Sequence, residues 1–120
     1  MPGKLINEYG AIQIEDHVLS SIAGLSAMEC YGLVGMAAKS AAGGLVELLK
    51  KEHSSKGVKV YTDNEKITIE LYVIVEFGTK ISVVANNIID KVKYNIENLT
   101  GMSVEKVNIN VQGVRVQKEV

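Results

Sequence analysis

Three side chains in this sequence could take part in covalent or metal chemistry: Cys30, His17 and His53. Cys30 ends an apolar helical segment, which favours an inert, half-buried thiol, because free cysteine commonly behaves as a small hydrophobic residue. His17 is expected to be exposed and His53 to lie in a loop, and their separation is not a metal-ligand spacing. The carboxylates are scattered, without a close pair that could serve as acid and base. The sequence therefore predicts no catalytic residues, no metal ion and no cofactor.

A glycine pair gives the other chemical signal. The segment Gly32-Leu-Val-Gly35 matches the Gly-x-x-Gly loop with which KH domains clamp a nucleic-acid backbone. The region around it leans basic, with Lys39, Lys50, Lys51, Lys56 and Lys59 against Glu47 and Glu52. However, the two inner residues are apolar and the chain has a single arginine, so a packing turn beside a solvated surface is the favoured interpretation. A KH-like nucleic-acid-binding domain that uses this loop and the nearby lysines is the alternative.

Length and composition bound the class of protein. The chain has 120 residues, 13 Lys and Arg against 14 Asp and Glu, a formal net charge of -1 and 47% hydrophobic residues. These values fit a single folded domain over residues 1–120 and exclude the polar, highly charged composition of disordered chains. The sequence has no apolar run of about 18 residues and no signal-peptide pattern, and its single cysteine excludes an internal disulfide. We therefore expect a cytoplasmic protein.

Two helices follow from apolar residues spaced three and four apart. The first is predicted to begin at a cap on Asp16 and to end near Cys30, and its many small residues indicate close packing against a sheet or another helix. The second is predicted to have Thr79 as its cap and to end at Gly101.

Alternating apolar residues predict strands at 10–14, 58–62, 66–77 and 106–117. Apolar residues on both faces of 66–77 are typical of a central strand. In the last strand the inward phase slips at Gly113, which predicts a β-bulge. The long 32–57 connection is expected to contain a short helix at 45–51. The order β-α-β-β-α-β favours an α+β domain, in which a four-stranded sheet carries the two main helices on one face.

Five segments carry a resemblance to a known family. They are Tyr-Gly-Ala-Ile-Gln-Ile at 9–14, the segment 22–36, Gly-Val-Lys-Val at 57–60, the segment 71–81, and the strand at 107–116. In this order and spacing they resemble the alkaline shock protein family of small bacterial stress proteins. The run Cys-Tyr-Gly-Leu-Val-Gly-Met at 30–36, together with Gly57-Val58, is closest to the YloU-like branch of that family.

The resemblance implies a bacterial protein without catalytic activity that is linked to cell-envelope stress or lipid metabolism. It also implies a protein partner, either a membrane-anchored family partner or a kinase-like enzyme of the DegV/fatty-acid-kinase type encoded nearby, and self-association into a homo-oligomer. Membrane contact is expected through such a partner and not by direct insertion, because the chain offers no amphipathic segment free of the core.

The leading hypothesis is a non-enzymatic adaptor or scaffold that acts through protein contacts. The candidate interaction residues are Gly32, Gly35, Lys50, Lys51 and Lys56, with an exposed strand edge as a second surface. A small-molecule or lipid site between a helix and the sheet is a further alternative.

Overall fold

The computed structural model describes residues 3–39, 46–49, 51–63 and 66–116. Its elements, in chain order, are β1 (Gly3–Asn7), β2 (Gly10–Ile14), α1 (Asp16–Met28), β3 (Leu33–Lys39), β4 (Val46–Leu48), a 3₁₀ helix (Lys51–Gly57), β5 (Val58–Asp63), β6 (Lys66–Glu76), α2 (Ile81–Thr100) and β7 (Ser103–Arg115). The α+β class with two main helices is confirmed.

Strand β6 lies at the centre of the main sheet. β7 runs parallel to it along one side, over the full length of β6. On the other side, β5 pairs antiparallel with the first half of β6, and β3 pairs antiparallel with Val73–Val75. β4 extends the sheet beyond β3. Strands β1 and β2 form a separate antiparallel hairpin.

The core lies between one face of β6 and the two helices. Every second residue of β6 is buried there, together with one face of α2: Ile67, Ile69, Leu71, Val73, Val75, Val84, Ile88, Val92 and Ile96. Full burial of each such side chain stabilises the fold by about 1.5–3 kcal/mol. On the opposite face of the sheet Ile74 is also buried, whereas Thr68 and Glu70 are half-buried, as the pattern predicted.

Several strand predictions need correction. The predicted first strand, 10–14, belongs to the separate hairpin, whereas β3, which was not predicted as a strand, pairs with β6 in the main sheet. The predicted helix at 45–51 is wrong in position, since Val46–Leu48 is a strand and the short helix of this connection is the 3₁₀ helix at Lys51–Gly57. β3 escaped prediction because its glycine and alanines give a weak alternation.

Both predicted helix caps are wrong. The residue before α1 is Glu15, and Asp16 is already the first helical residue. The N-cap position of α2 is Lys80. The Thr79 hydroxyl does not cap the helix and instead donates to the Glu76 carbonyl oxygen at 2.6 Å. Neither helix has a side-chain cap.

Two other local predictions are confirmed. α2 ends at Gly101, which adopts the left-handed conformation with φ 76°. The register of β7 against β6 shifts between Val111 and Gly113, which is the predicted bulge. Gly113 does not have a positive φ, however, so the bulge does not depend on that property of glycine.

The small residues of α1 permit the close packing that the sequence indicated. The 3₁₀ helix lies against Gly24, where a Cβ atom would be 3.0 Å from the carbonyl carbon of Ser54. Towards α2, the Asn95 side-chain amide donates to the Ser26 hydroxyl at 2.7 Å, and that hydroxyl donates to the Ile22 carbonyl at 2.6 Å. α1 is therefore held by backbone proximity on one side and by a polar pair on the other.

Replacing Gly24 with alanine is expected to lower the free energy of unfolding by about 1 kcal/mol, because overpacking against Ser54 outweighs the gain in helix propensity. Urea denaturation followed by circular dichroism measures this change. Ser21→Ala is the matched control, since the Ser21 hydroxyl only donates to the His17 carbonyl of the same helix. A Gly24→Ala protein as stable as the control would contradict the close packing.

Candidate interaction surface

Cys30 follows the C-terminal end of α1, and His17 lies in the first turn of the same helix. A rise of about 1.5 Å per residue separates the two residues by roughly 20 Å, so they form no nucleophile–base pair. His53 is exposed in the 3₁₀ helix. Within the ranges that the structure describes, no group of three or more His, Cys, Asp or Glu side chains could hold a metal ion.

The surroundings of Cys30 keep its thiol protonated. Its Sγ lies 3.7 Å from the Ser26 carbonyl oxygen and 4.0 Å from that of Asn87. Burial raises the pKa of the thiol above its ordinary value, Lys91 opposes this and Glu29 adds to it. The thiolate is the reactive form of cysteine, so this environment is typical of a structural residue.

The two glycines of the Gly-x-x-Gly segment are buried and do not form an open loop. Gly32 directly precedes β3 and has φ 86°, and a Cβ there would lie 2.5 Å from Cγ2 of Val84. Gly35 lies inside β3, beneath the Leu48 side chain. A phosphate backbone needs access to such a loop, and here apolar side chains occupy that space. The packing interpretation fits this geometry, and the KH-like alternative gains no support from it.

Of the candidate interaction lysines, Lys56 is the one whose side chain the structure describes. Lys50 lies outside the described residues, and so does the side chain of Lys51, whose backbone begins the 3₁₀ helix. Lys56 is exposed in the last turn of that helix. The 3₁₀ helix ends against β3, where Gly57 approaches the Met36 and Ala37 backbone region.

Three exposed apolar residues lie on hydrogen-bonded chain segments next to the buried Gly32. The Glu76 amide donates to the Gly32 carbonyl, and the Phe77 amide donates to the Arg115 carbonyl, both at 2.8 Å. These bonds bring together the ends of the strands β3, β6 and β7, next to which lie Tyr31, Phe77 and Val116. Their side chains are 81%, 70% and 72% exposed. We call these three residues the apolar rim.

The apolar rim was not predicted from the sequence. The predicted strands 66–77 and 106–117 include Phe77 and Val116, but β6 ends at Glu76 and β7 ends at Arg115. The available signal was Gly78-Thr79, because a glycine directly after Phe77 marks a turn that takes the aromatic ring out of the sheet.

The described core leaves no space that supports the alternative of a small-molecule site between helix and sheet. The β6 and α2 residues that face each other are buried against one another. A shallow depression lined by Tyr94, Glu97 and Asn98 lies instead on α2. Neither α1 nor α2, within the described part of the chain, is long and apolar enough to cross a membrane.

Comparison with known proteins identifies relatives along almost the whole chain. A model of the alkaline shock protein 23 family, described as having a "cell envelope-related function", matches residues 4–116. The chain is 49% identical over 114 residues to the uncharacterized protein YloU of Bacillus subtilis, covering 94% of this chain and 95% of that protein. It is 38% identical over 120 residues to the uncharacterized protein Spy1614 of Streptococcus pyogenes, covering 99% of each. No solved structure matches.

Gly32→Ala is expected to destabilise the protein by more than Gly78→Ala. Both glycines have a positive φ, which costs an alanine roughly 1–2 kcal/mol, but only at Gly32 would the new Cβ also meet a neighbouring side chain. Gly78, with nothing within 4 Å, is therefore the matched control for the φ cost alone. Equal losses of unfolding free energy would show that Gly32 has no packing role.

Cys30 is expected to react with iodoacetamide more slowly in the folded protein than in the urea-unfolded chain at the same pH. A raised pKa leaves a smaller fraction of thiolate at a given pH. The increase of the alkylation rate with pH should therefore occur at a higher pH in the folded protein than in the unfolded chain. Measuring alkylation rates across a pH series in both states checks this. A folded-state rate equal to or above the unfolded one would contradict the assigned environment.

Proposed function

Because this chain is a member of the alkaline shock protein 23 family, whose description is a cell envelope-related function, we propose that it is a non-enzymatic adaptor that serves the cell envelope by binding another protein. The observation that carries the proposal is the apolar rim. Isolated exposed apolar residues are ordinary, but large ones brought together on one surface are typical of interaction sites.

The rim is suited to binding because its residues stand on a fixed base. Tyr31 and Phe77 flank the hydrogen bond between Gly32 and Glu76, and Gly32 itself is packed against Val84 of α2. Side chains presented by a rigid base lose less entropy on binding than side chains on a mobile loop. Aromatic residues are also enriched where binding energy concentrates.

The non-enzymatic part of the proposal is supported by Cys30. Its thiol is half-buried, and burial raises its pKa, so the most nucleophilic side chain of the sequence is held in its unreactive form.

The partner that we propose first is a membrane-anchored protein, which would bring this chain from the cytoplasm to the membrane. A kinase-like enzyme encoded nearby is the second candidate, and it would favour a link to lipid metabolism. The 32–57 connection is a second candidate surface, since its 3₁₀ helix carries the exposed Lys56.

Affinity capture of the tagged chain from its source bacterium tests the proposal. We expect one protein to be recovered in stoichiometric, nuclease-resistant amounts, and the variant Tyr31→Ser/Phe77→Ser to lose it at least tenfold. Tyr9→Ser/Tyr94→Ser is the matched control, because it removes two exposed aromatic residues elsewhere. Mass spectrometry then distinguishes the membrane-anchored partner from the kinase-like enzyme.

Two outcomes would count against this function. Equal recovery of every partner by the wild type and the rim variant would mean that the rim is not the binding surface. Recovery of proteins only through RNA or DNA, abolished by nuclease, would mean that the chain is not a protein adaptor.

A further inference from the structure

Strand β7 leaves a long edge of the main sheet open. Within the described ranges it pairs with β6 alone, and it is 13 residues long. An edge strand presents unpaired backbone donors and acceptors, and monomeric proteins usually protect such edges with charges, prolines or short strands. The eight residues 107–114 of this strand contain no charged residue and no proline.

The residues of β7 that face the helices are symmetric about Ile109. Their identity follows from the parallel register, because neighbours side by side in a sheet point to the same face. The β7 residues beside the buried Ile67, Ile69, Leu71, Val73 and Val75 of β6 are Val104, Val107, Ile109, Val111 and Val114. Counted from Ile109, these positions lie at two and five residues on either side.

The two bulges of β7 preserve this symmetry. One register shift lies between Val104 and Lys106, where β7 passes Ile67 and Thr68 of β6, and the other lies between Val111 and Gly113. Each half of β7 therefore has one residue more than the segment of β6 beside it. The segment Val-Asn-Ile-Asn-Val at 107–111 also reads the same in both directions. A strand with this pattern can pair with a second copy of itself without bringing an apolar face against a polar one.

We propose that β7 pairs antiparallel with β7 of a second copy of this chain, about a two-fold axis at Ile109, so that one sheet continues through both protomers. Ile109 then lies opposite Ile109 of the second copy, and Val107 lies opposite Val111 of the second copy. Asn108 lies opposite Asn110 of the second copy on the other face. An axis at Asn110 would instead place Val107 opposite Gly113, which points to the opposite face.

Exposure and charge agree with this occupant. Ile109 and Val111 are only half-buried and Val114 is 47% exposed, so pairing would cover apolar surface that the single chain leaves open. Glu105, whose carboxylate lies 3.8 Å from the Lys66 ammonium in the single chain, would also be the diagonal neighbour of Arg115 of the second copy, and the symmetry produces this contact twice.

The pairing has a natural limit at one end of the strand. The Val104 amide already donates to the Glu97 carboxylate at 2.9 Å. Because Val104 lies opposite Val114 of the second copy, the backbone pairing ends one residue earlier on both strands. It therefore runs from Glu105 to Gly113. This inference does not depend on the proposed adaptor function, because it uses a different surface.

Cysteine cross-linking tests the register. In a Cys30→Ser background, Ile109→Cys is expected to form an intermolecular disulfide, since directly opposed residues of antiparallel strands have Cα atoms about 4.5–5.5 Å apart. Lys106→Cys and Gln112→Cys are each expected to remain uncross-linked alone, because each would lie roughly 20 Å from its own copy across the axis. An equimolar mixture of these two is expected to cross-link.

Sedimentation equilibrium tests the assembly. The wild type is expected as a species of twice the 13.0 kDa chain mass. Asn108→Lys/Asn110→Lys is expected to raise the dissociation constant roughly tenfold or more, because it sets like charges opposite each other across the axis. The control Asn86→Lys/Asn98→Lys adds the same two charges at exposed positions of α2 and should dimerise like the wild type, and circular dichroism confirms that each variant is folded.

Three results would overturn the inference. One is a wild type that remains monomeric at a concentration of about 1 mM, at which even weak complexes form. Another is self-cross-linking of the Lys106→Cys protein, which the antiparallel register forbids. The third is a monomeric wild type from which Asn108→Lys/Asn110→Lys removes a captured protein, which would assign the edge to a different partner.

Discussion

The rest of this structure depends on one constraint, the enclosure of strand β6. Both of its edges are paired with other strands, and its helix-facing side chains are buried. Its alternate residues fill the core, and its backbone pairs with β7 along one side and with β5 and β3 along the other. Removing any of these neighbours would leave polar backbone groups next to the most apolar surface of the chain, which is costly. The positions of α1, α2 and the 3₁₀ helix follow from this strand, because they cover its inward face.

The two surfaces that we assign to binding, the apolar rim and the open edge of β7, lie where β6 and its neighbours leave residues uncovered. At the end of β6 the chain must turn towards α2, and Gly78 allows a turn that places Phe77 outside the sheet. On the far side of β7 the sheet has no further strand within the described residues, so its backbone groups remain available there. One surface thus offers side chains on a fixed base, and the other offers main-chain hydrogen bonds. The two can act at the same time because they use different atoms.

The sequence was informative wherever a local pattern determined the structure. Helical spacing located α1 and α2, the glycine after α2 located its end, and the phase slip in the last strand located the bulge at Gly113. Each of these features depends on residues that are close together in the chain. The family, too, could be identified from the order and spacing of short segments.

Other features depend on contacts between distant residues, and the sequence could not reveal them. β3 is a strand because Val73–Val75 of β6 needs a neighbour, although its own glycine and alanines have low β-propensity. Asp16 and Thr79 have residue types typical of caps, but tertiary packing sets where the helices begin. The apolar rim requires Gly32 to meet Glu76 and Phe77 to meet Arg115, which are pairs far apart in the chain.

The parallel pairing of β6 with β7 also fixes the order in which the molecule can be completed during synthesis. The 26 residues from 77 to 102 separate the two strands, so β6 is synthesised before its longest partner. At a synthesis rate of about 5–20 residues per second, the 39 residues from 77 to 115 take about 2–8 s to add, and one side of this apolar strand lacks its partner for that time. During that interval the unpaired side of β6 is available for strand pairing with other unfinished chains, and the 13-residue strand β7 ends this period by pairing with it.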